Sequence, residues 1–217
     1  MINGINSREM ILEILLEIEE GEHSHVAIRN ALSKYQFLPK QDRAFITRVC
    51  EGTLEYRIQI DYIINSFSKV TVDKMKPAIR EILRSAVYQL KYMDSVPDSA
   101  VCNEAVKLAQ RKGFYNLKPF VNGVLRTIAR EMDQVRFPQK EDDLLKYLSV
   151  KYSMPEVLVT RWLEAYGEET TEKILADFLT EHPLTIRCRT YLNSKEEVIK
   201  SLESQGVHLA PAPYLPY

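Results

Sequence analysis

Arginine and lysine side chains at helical spacing are the residues of this sequence that could do chemistry, and the chemistry they suit is phosphate binding. Arg80 and Arg84 lie four residues apart, about one helical turn, and Arg126 and Arg130 repeat this spacing. Such a row can follow the phosphates of a polyanion. The candidate phosphate-binding residues are Arg43, Arg80, Arg84, Lys107, Arg111, Lys112, Lys118, Arg126 and Arg130.

Aromatic residues follow one group of these cations. Lys107 and Arg111 precede Gly113, and Phe114 and Tyr115 come directly after it. Rings at this place could stack on unpaired bases. Cations at the end of a helix also stabilise the helix dipole, so a purely structural role for these residues is an equal alternative.

The net charge of -1 conceals a basic central block. Residues 23–140 hold 20 Lys and Arg against 11 Asp and Glu, a surplus of +9, whereas residues 1–22 and 141–217 each sum to -5. A block of this size is typical of a polyanion-binding protein, although a solvated helical surface explains the charge equally well. Charge alone leaves both interpretations open.

The sequence offers little that resembles an active site. Its seven glycines form no Gly-rich turn that could bring the backbone close to a nucleotide or S-adenosylmethionine. Cys50, Cys102 and Cys188 lie far apart in apolar patterns, which favours buried thiols and a reducing cytoplasm over disulfides or zinc. His23 and His25 suit a surface turn better than a metal site. We predict no catalytic, cofactor-binding or metal-binding residue in this chain.

Hydrophobic periodicity predicts an all-α amino-terminal region with about seven helices. The strongest pattern covers residues 78–92, where apolar side chains recur at helical spacing, and this segment is expected to be the central buried helix. No run approaches the roughly 18 consecutive apolar residues of a membrane span. The amino terminus also lacks the pattern of a secretion signal, so we expect a cytoplasmic protein without a membrane partner.

The pattern changes after residue 138, and we expect three parts: 1–138, a helical linker at 139–182, and a third part at 183–217. In the third part, Leu184–Cys188 alternates like a strand. Ser194 and Glu197 then have the spacing of a capping box that opens a helix. This order is typical of the start of an αβ unit, although one strand and one helix are too few to form a sheet.

Several sequence strings resemble the NusB-like amino-terminal region of the RsmB (Sun/Fmu) family of rRNA cytosine-5 methyltransferases. They are DRAF at 42–45, ILRSAVYQLKYM at 82–93, VPDSAVCNEAV at 96–106 and FVNGVLR at 120–126. Further on, KYSMPEVLVTRWLEAYG at 151–167 and HPLTIR at 182–187 resemble the segment that joins this region to the catalytic domain. Glu55, Ala86 and Arg189 stand where the family usually has Arg, Gly and Asn.

The resemblance implies a NusB-like helical bundle, a small helical linker and the start of the methyltransferase αβ subdomain. In that family a carboxy-terminal domain binds S-adenosylmethionine and uses two cysteines, while the NusB-like part helps to hold RNA. No Pro-Cys or Thr-Cys dipeptide occurs here, so the resemblance implies that catalysis and cofactor binding belong to the longer parent protein.

The expected partners are therefore ribosomal RNA, bound by the nine basic residues, and the protein's own carboxy-terminal catalytic domain. Affinity for RNA should fall steeply with salt. The alternative function is a NusB-type module for protein interaction or transcription antitermination. Nothing in the sequence indicates an oligomeric state.

Overall fold

The computed structural model describes residues 6–180, 184–189 and 191–211. In these ranges the regular structure is helical, and no strand is present. No helix among the described residues is both long and apolar enough to cross a bilayer. The ten α-helices are α1 Ser7–Glu19, α2 Ser24–Lys34, α3 Lys40–Glu55, α4 Arg57–Phe67, α5 Pro77–Tyr92, α6 Asp98–Arg111, α7 Lys118–Glu131, α8 Leu144–Tyr152, α9 Glu156–Phe178 and α10 Lys195–Glu203.

Helix α5 is the centre of the bundle, as the sequence predicts. It packs against α1, α3, α4, α6 and α7. Its apolar residues Ile79, Ile82, Leu83 and Val87 are all buried, and their burial is the main favourable contribution to the fold. The prediction of an all-α bundle of about seven helices in the first 138 residues is confirmed by α1 to α7.

A close approach between α3 and α5 depends on a glycine. A Cβ atom added to Gly52 would lie 2.1 Å from the Tyr88 ring, much closer than a carbon contact allows. Tyr88 in turn belongs to a cluster of tyrosine rings, in which the Tyr56 and Tyr92 rings stack with centroids 4.2 Å apart. Gly52 therefore sets how closely these two helices pack.

Helices α8 and α9 form a small subdomain that is anchored on α4. Gln59 in α4 donates hydrogen bonds from Nε2 to the carbonyl oxygens of Val150 and Lys151, both at 3.1 Å. The Ile58 amide donates to Ser153 Oγ at 3.0 Å. Since these bonds satisfy carbonyls at the end of α8, they fix that helix against the bundle.

The small subdomain has its own core, formed by Leu148, Val159 and Leu175. Helix α9 is interrupted at Gly167, whose φ of 73° and ψ of 173° are not helical. The chain thereby folds back on itself, so that both halves of α9 contribute to one core.

The remaining residues, from Leu179 onwards, form a separate unit. The predicted capping box is confirmed, because Ser194 Oγ accepts a bond from the Glu197 amide at 3.2 Å and the Glu197 carboxylate accepts one from the Ser194 amide at 2.9 Å. The strand predicted at 184–188 is irregular, since no other strand among the described residues is present to complete its hydrogen bonds. The predicted boundary between 182 and 183 lies outside the described residues.

The lowered pKa of Glu172 makes the stability of the α8–α9 subdomain depend on pH. Hydrogen bonds from Lys151 (2.9 Å), Tyr152 (3.0 Å) and Lys140 (3.3 Å) reach its carboxylate, and they lower its pKa from the ordinary 4.5 to about 2, the Lys151 bond most of all. A lowered carboxylate pKa contributes stability above pH 4.5 that is lost as pH falls towards 2.

We therefore expect the Glu172→Gln variant to lose less stability than the wild type when urea unfolding is followed from about pH 5 down to about pH 2. Glu169→Gln is the matched control, because the carboxylate of Glu169 is exposed and pairs with the exposed Lys173 in the next turn of the helix. Equal acid sensitivity of the wild type and Glu172→Gln would contradict this role.

Candidate nucleic-acid interface

The turn between α6 and α7 is built to end one helix and start the next. Gly113, at a φ of 85°, ends α6 in the left-handed conformation that favours glycine. The Phe114 amide donates to the Ala109 carbonyl at 2.9 Å and the Gly113 amide to that of Gln110 at 3.0 Å, which together form a Schellman motif. Pro119 then lies in the first turn of α7. The last turn of α6 and the first turn of α7 consequently lie side by side.

Cations gather at this end of the two helices. Arg111 is exposed, and it makes no hydrogen bond or ion pair with any residue that the structure describes. The Lys107 side chain is 59% exposed and forms an ion pair with Glu104 at 2.7 Å. Half-buried Lys118 begins α7. The ammonium and guanidinium groups of these three residues can meet phosphates without breaking a bond that supports the fold.

Only one of the two aromatic residues at this turn is available for stacking. The Tyr115 side chain is 60% exposed. Phe114 instead packs against the bundle core, with the Lys76 ammonium 5.5 Å from its ring centre. Tyr115 is therefore the better placed of the two rings for stacking, because Phe114 is half-buried against the core.

The outer surface of α7 extends the basic region. Arg126 is exposed and its Nε donates to Asn122 Oδ1 at 2.9 Å, while Arg130 is exposed and pairs with Glu131 at 2.6 Å. Gly123 is exposed on the same helix, and an added Cβ would meet no atom within 4 Å. We call this surface the α6–α7 face and define it by Lys107, Arg111, Tyr115, Lys118, Gly123, Arg126 and Arg130.

Arg80 and Arg84 are placed differently from the exposed row that the sequence suggests. The Arg84 side chain is 11% exposed and bonds to Asp61 through Nε (2.7 Å) and Nη2 (2.6 Å), and to Glu81 at 2.5 Å. Arg80 is ion-paired with Glu19. The physical reason is that the polar side of α5 is also covered by neighbouring helices, so these guanidinium groups neutralise carboxylates inside the bundle.

Lys112 also forms ion pairs within the protein. Its ammonium bridges Glu13 at 3.0 Å and Glu9 at 3.1 Å, both on α1. The hydrogen bond to Glu13, more than that to Glu9, raises the pKa of Lys112. This lysine ties the end of α6 to α1.

Arg43 lies apart from the α6–α7 face, on α3. It lines an open groove together with Lys40, and neither side chain makes a hydrogen bond or ion pair with the described part of the chain.

Sequence reasoning missed Lys40 and Gly123. Lys40 could have been found from the run 29–48, in which Asp42 is the single carboxylate among five cations; Gly123 carries no sequence signal beyond its helical context.

The cysteines of the bundle are unsuited to catalysis. Cys50 and Cys102 are buried in the core, and burial raises the pKa of both thiols. Protonated, enclosed thiols are poor nucleophiles. Within the described residues, no group of three or more His, Cys, Asp and Glu side chains could hold a metal ion.

The Arg84 cluster makes a testable prediction about stability. Arg84→Ala should lower the free energy of unfolding by about 3 kcal/mol, because the buried Glu81 carboxylate loses its 2.5 Å bond to Arg84 and keeps the more distant Arg80 Nε, 4.0 Å away. Burial already raises the pKa of Glu81, and the nearby Arg84 opposes that rise. Urea unfolding measures the change.

Arg111→Ala is the control, with an expected change within about 0.5 kcal/mol. If Arg84→Ala instead left stability unchanged and weakened RNA binding, Arg84 would belong to the interface.

Two family models match the chain. The model of the NusB family matches residues 5–130. The model described as the RsmF/B-like methyltransferase, ferredoxin-like domain matches residues 154–217. The two regions follow one another in the order that the sequence strings indicate.

The curated relatives include the probable ribosomal RNA small subunit methyltransferase B of Bacillus subtilis, which is 32% identical over 93% of this chain. The chain spans 44% of the length of that relative. Among solved structures, that of PH0851 covers 98% of this chain and 48% of its own, with a TM-score of 0.69 and 23% identity. A complex of antitermination factors NusB and NusE with dsRNA covers 57% of this chain and 93% of its own, with a TM-score of 0.53 and 21% identity.

Proposed function

We propose that this chain, which belongs to the NusB family, is the RNA-binding and substrate-orienting amino-terminal part of an S-adenosylmethionine-dependent rRNA (cytosine-5) methyltransferase. The observation that carries the proposal is the α6–α7 face, where Arg111 and its neighbours expose cationic groups beside an exposed ring. A solved NusB relative is in complex with dsRNA. Matches over almost the whole chain to rRNA methyltransferases support the choice of ribosomal RNA.

Catalysis on this proposal belongs to the longer protein. S-adenosylmethionine would supply the methyl group there, in the cytoplasm. The described residues of this chain do not fit that cofactor, since they contain no strand leading into a Gly-rich turn and their positive-φ glycines follow or interrupt helices.

The α6–α7 face can hold RNA in one orientation. Lys107, Arg111 and Lys118 would contact phosphates at one end, and Arg126 and Arg130 would contact them along α7. Tyr115 could stack on an unpaired base. Because phosphate contacts fix position rather than sequence, this part of the protein would present the RNA while the catalytic domain selects the cytosine.

We also propose that three parts of the chain have different roles. Residues 1–138 would bind RNA, 139–182 would be the linker, and 183–217 would begin the methyltransferase αβ subdomain. The bonds from Gln59 to the end of α8 support this arrangement, because they fix the start of the linker on the RNA-binding bundle rather than leaving it loose.

Binding of a fluorescent small-subunit rRNA hairpin tests the proposal. Arg111→Ala/Lys118→Ala should weaken binding about tenfold or more and reduce the slope of log affinity against log salt by about 1 to 2, since two phosphate contacts are lost. Lys146→Ala/Arg161→Ala is the matched control, because it removes two exposed cations from α8 and α9. Affinity that is the same at about 50 mM and about 200 mM salt would contradict phosphate binding.

A second candidate function is a protein-interaction module, as the NusB resemblance also allows. Helix α9 favours it, because Val157, Tyr166 and Phe178 are exposed and Phe178 stacks flat on Trp162 with ring centres 5.7 Å apart. Exposed apolar groups on both halves of α9 suit a protein surface. A chain that binds no RNA at low salt but binds the methyltransferase catalytic domain through α9 would favour this function.

A further inference from the structure

An open groove of about 410 Å³ lies where the loop after α2 meets the first turns of α3. The residues that line it are Leu32, Leu38, Lys40, Arg43, Ala44 and Thr47. Leu38 also belongs to the buried core of the bundle. The groove is therefore lined by apolar side chains that include a core residue, together with the two cations Lys40 and Arg43.

The charge around the groove is strongly positive. Residues 29–48 contain five Lys and Arg and one carboxylate, Asp42. The Lys40 and Arg43 side chains make no hydrogen bond or ion pair with any residue in the described ranges. In this they differ from Arg84 and Lys112, whose charges are neutralised inside the fold. An anion could bind at the groove without displacing an internal partner.

An exposed aromatic ring stands in the loop that leads into the groove. Phe37 is 57% exposed and directly precedes Leu38. The half-buried Tyr35 ring supports it in an edge-to-face contact, with ring centres 6.0 Å apart and an angle of 76°. A large ring held in this way can stack on a base.

We infer that this groove binds a single unstacked nucleotide of a single-stranded RNA segment, with its phosphates on Lys40 and Arg43 and its base stacked on the exposed Phe37 ring of the adjoining loop. The inference rests on the proposed RNA-binding function and adds a second contact to it. An acidic peptide would also satisfy the charge. RNA fits better because Arg29 and Lys34 on α2 and Arg48 on α3 are also exposed cations of the two helices that border the groove, and a phosphate backbone carries many regularly spaced charges.

The test compares a fluorescent oligouridine of about 12 nucleotides with a duplex RNA of equal length, each bound to the full chain. Lys40→Ala/Arg43→Ala should weaken oligouridine binding about tenfold and lower its salt slope by about 1.4. Phe37→Ala should weaken oligouridine binding about fivefold or more and leave duplex binding within twofold, since only an unpaired base can stack on the ring. Lys146→Ala/Arg161→Ala is the control for both probes.

The possible outcomes distinguish failure of the groove inference from failure of the proposed function. If Lys40→Ala/Arg43→Ala binds oligouridine like the wild type while Arg111→Ala/Lys118→Ala does not, the groove inference is wrong and the proposed function stands. If the wild type binds neither RNA at low salt, the proposed function itself fails. Equal losses for both RNAs with no effect of Phe37→Ala would overturn the nucleotide site. Unchanged RNA affinity with loss of binding to a glutamate- and leucine-rich peptide would assign the groove to a protein segment.

Discussion

The enclosure of α5 by other helices is the constraint on which the rest of this structure depends. An apolar stripe that packs on one side would leave the polar side of α5 in water, but α1 and α4 cover that side too. The Arg84 guanidinium then has to neutralise Asp61 and Glu81 within the bundle, because an unpaired buried charge would be costly. The basic groups that remain available for a partner are consequently those on the outer helices α3, α6 and α7.

The same constraint explains what the sequence could and could not predict. Periodicity identifies the apolar stripe of α5 and the all-α fold, because burial repeats with the helical turn. It does not reveal whether the opposite side is covered, so Arg80 and Arg84 were expected at the surface and are inside. The capping box at Ser194 depends on neighbouring residues alone and is correct, whereas a strand at 184–188 needs a partner that no local pattern can supply.

Two glycines in helix interiors differ in whether the packing of the fold requires them. Gly52 is required by the fold, since the Tyr88 ring occupies the place of its side chain. Gly123 has open space around it, so the packing of this chain gives no reason for it, although glycine in a helix costs about 0.5–1 kcal/mol relative to alanine. Close approach of RNA to the α7 backbone, beside Asn122 and Arg126, would account for a residue that the isolated bundle does not need.

Gly123→Ala tests most directly whether the α6–α7 face binds RNA, when stability and affinity are measured on the same protein. If RNA lies against α7, the free energy of unfolding rises by about 0.5–1 kcal/mol while affinity for the small-subunit rRNA hairpin falls about fivefold or more, because the new methyl group holds the RNA away from α7. A variant that is more stable and binds the hairpin as tightly as the wild type would contradict the claim.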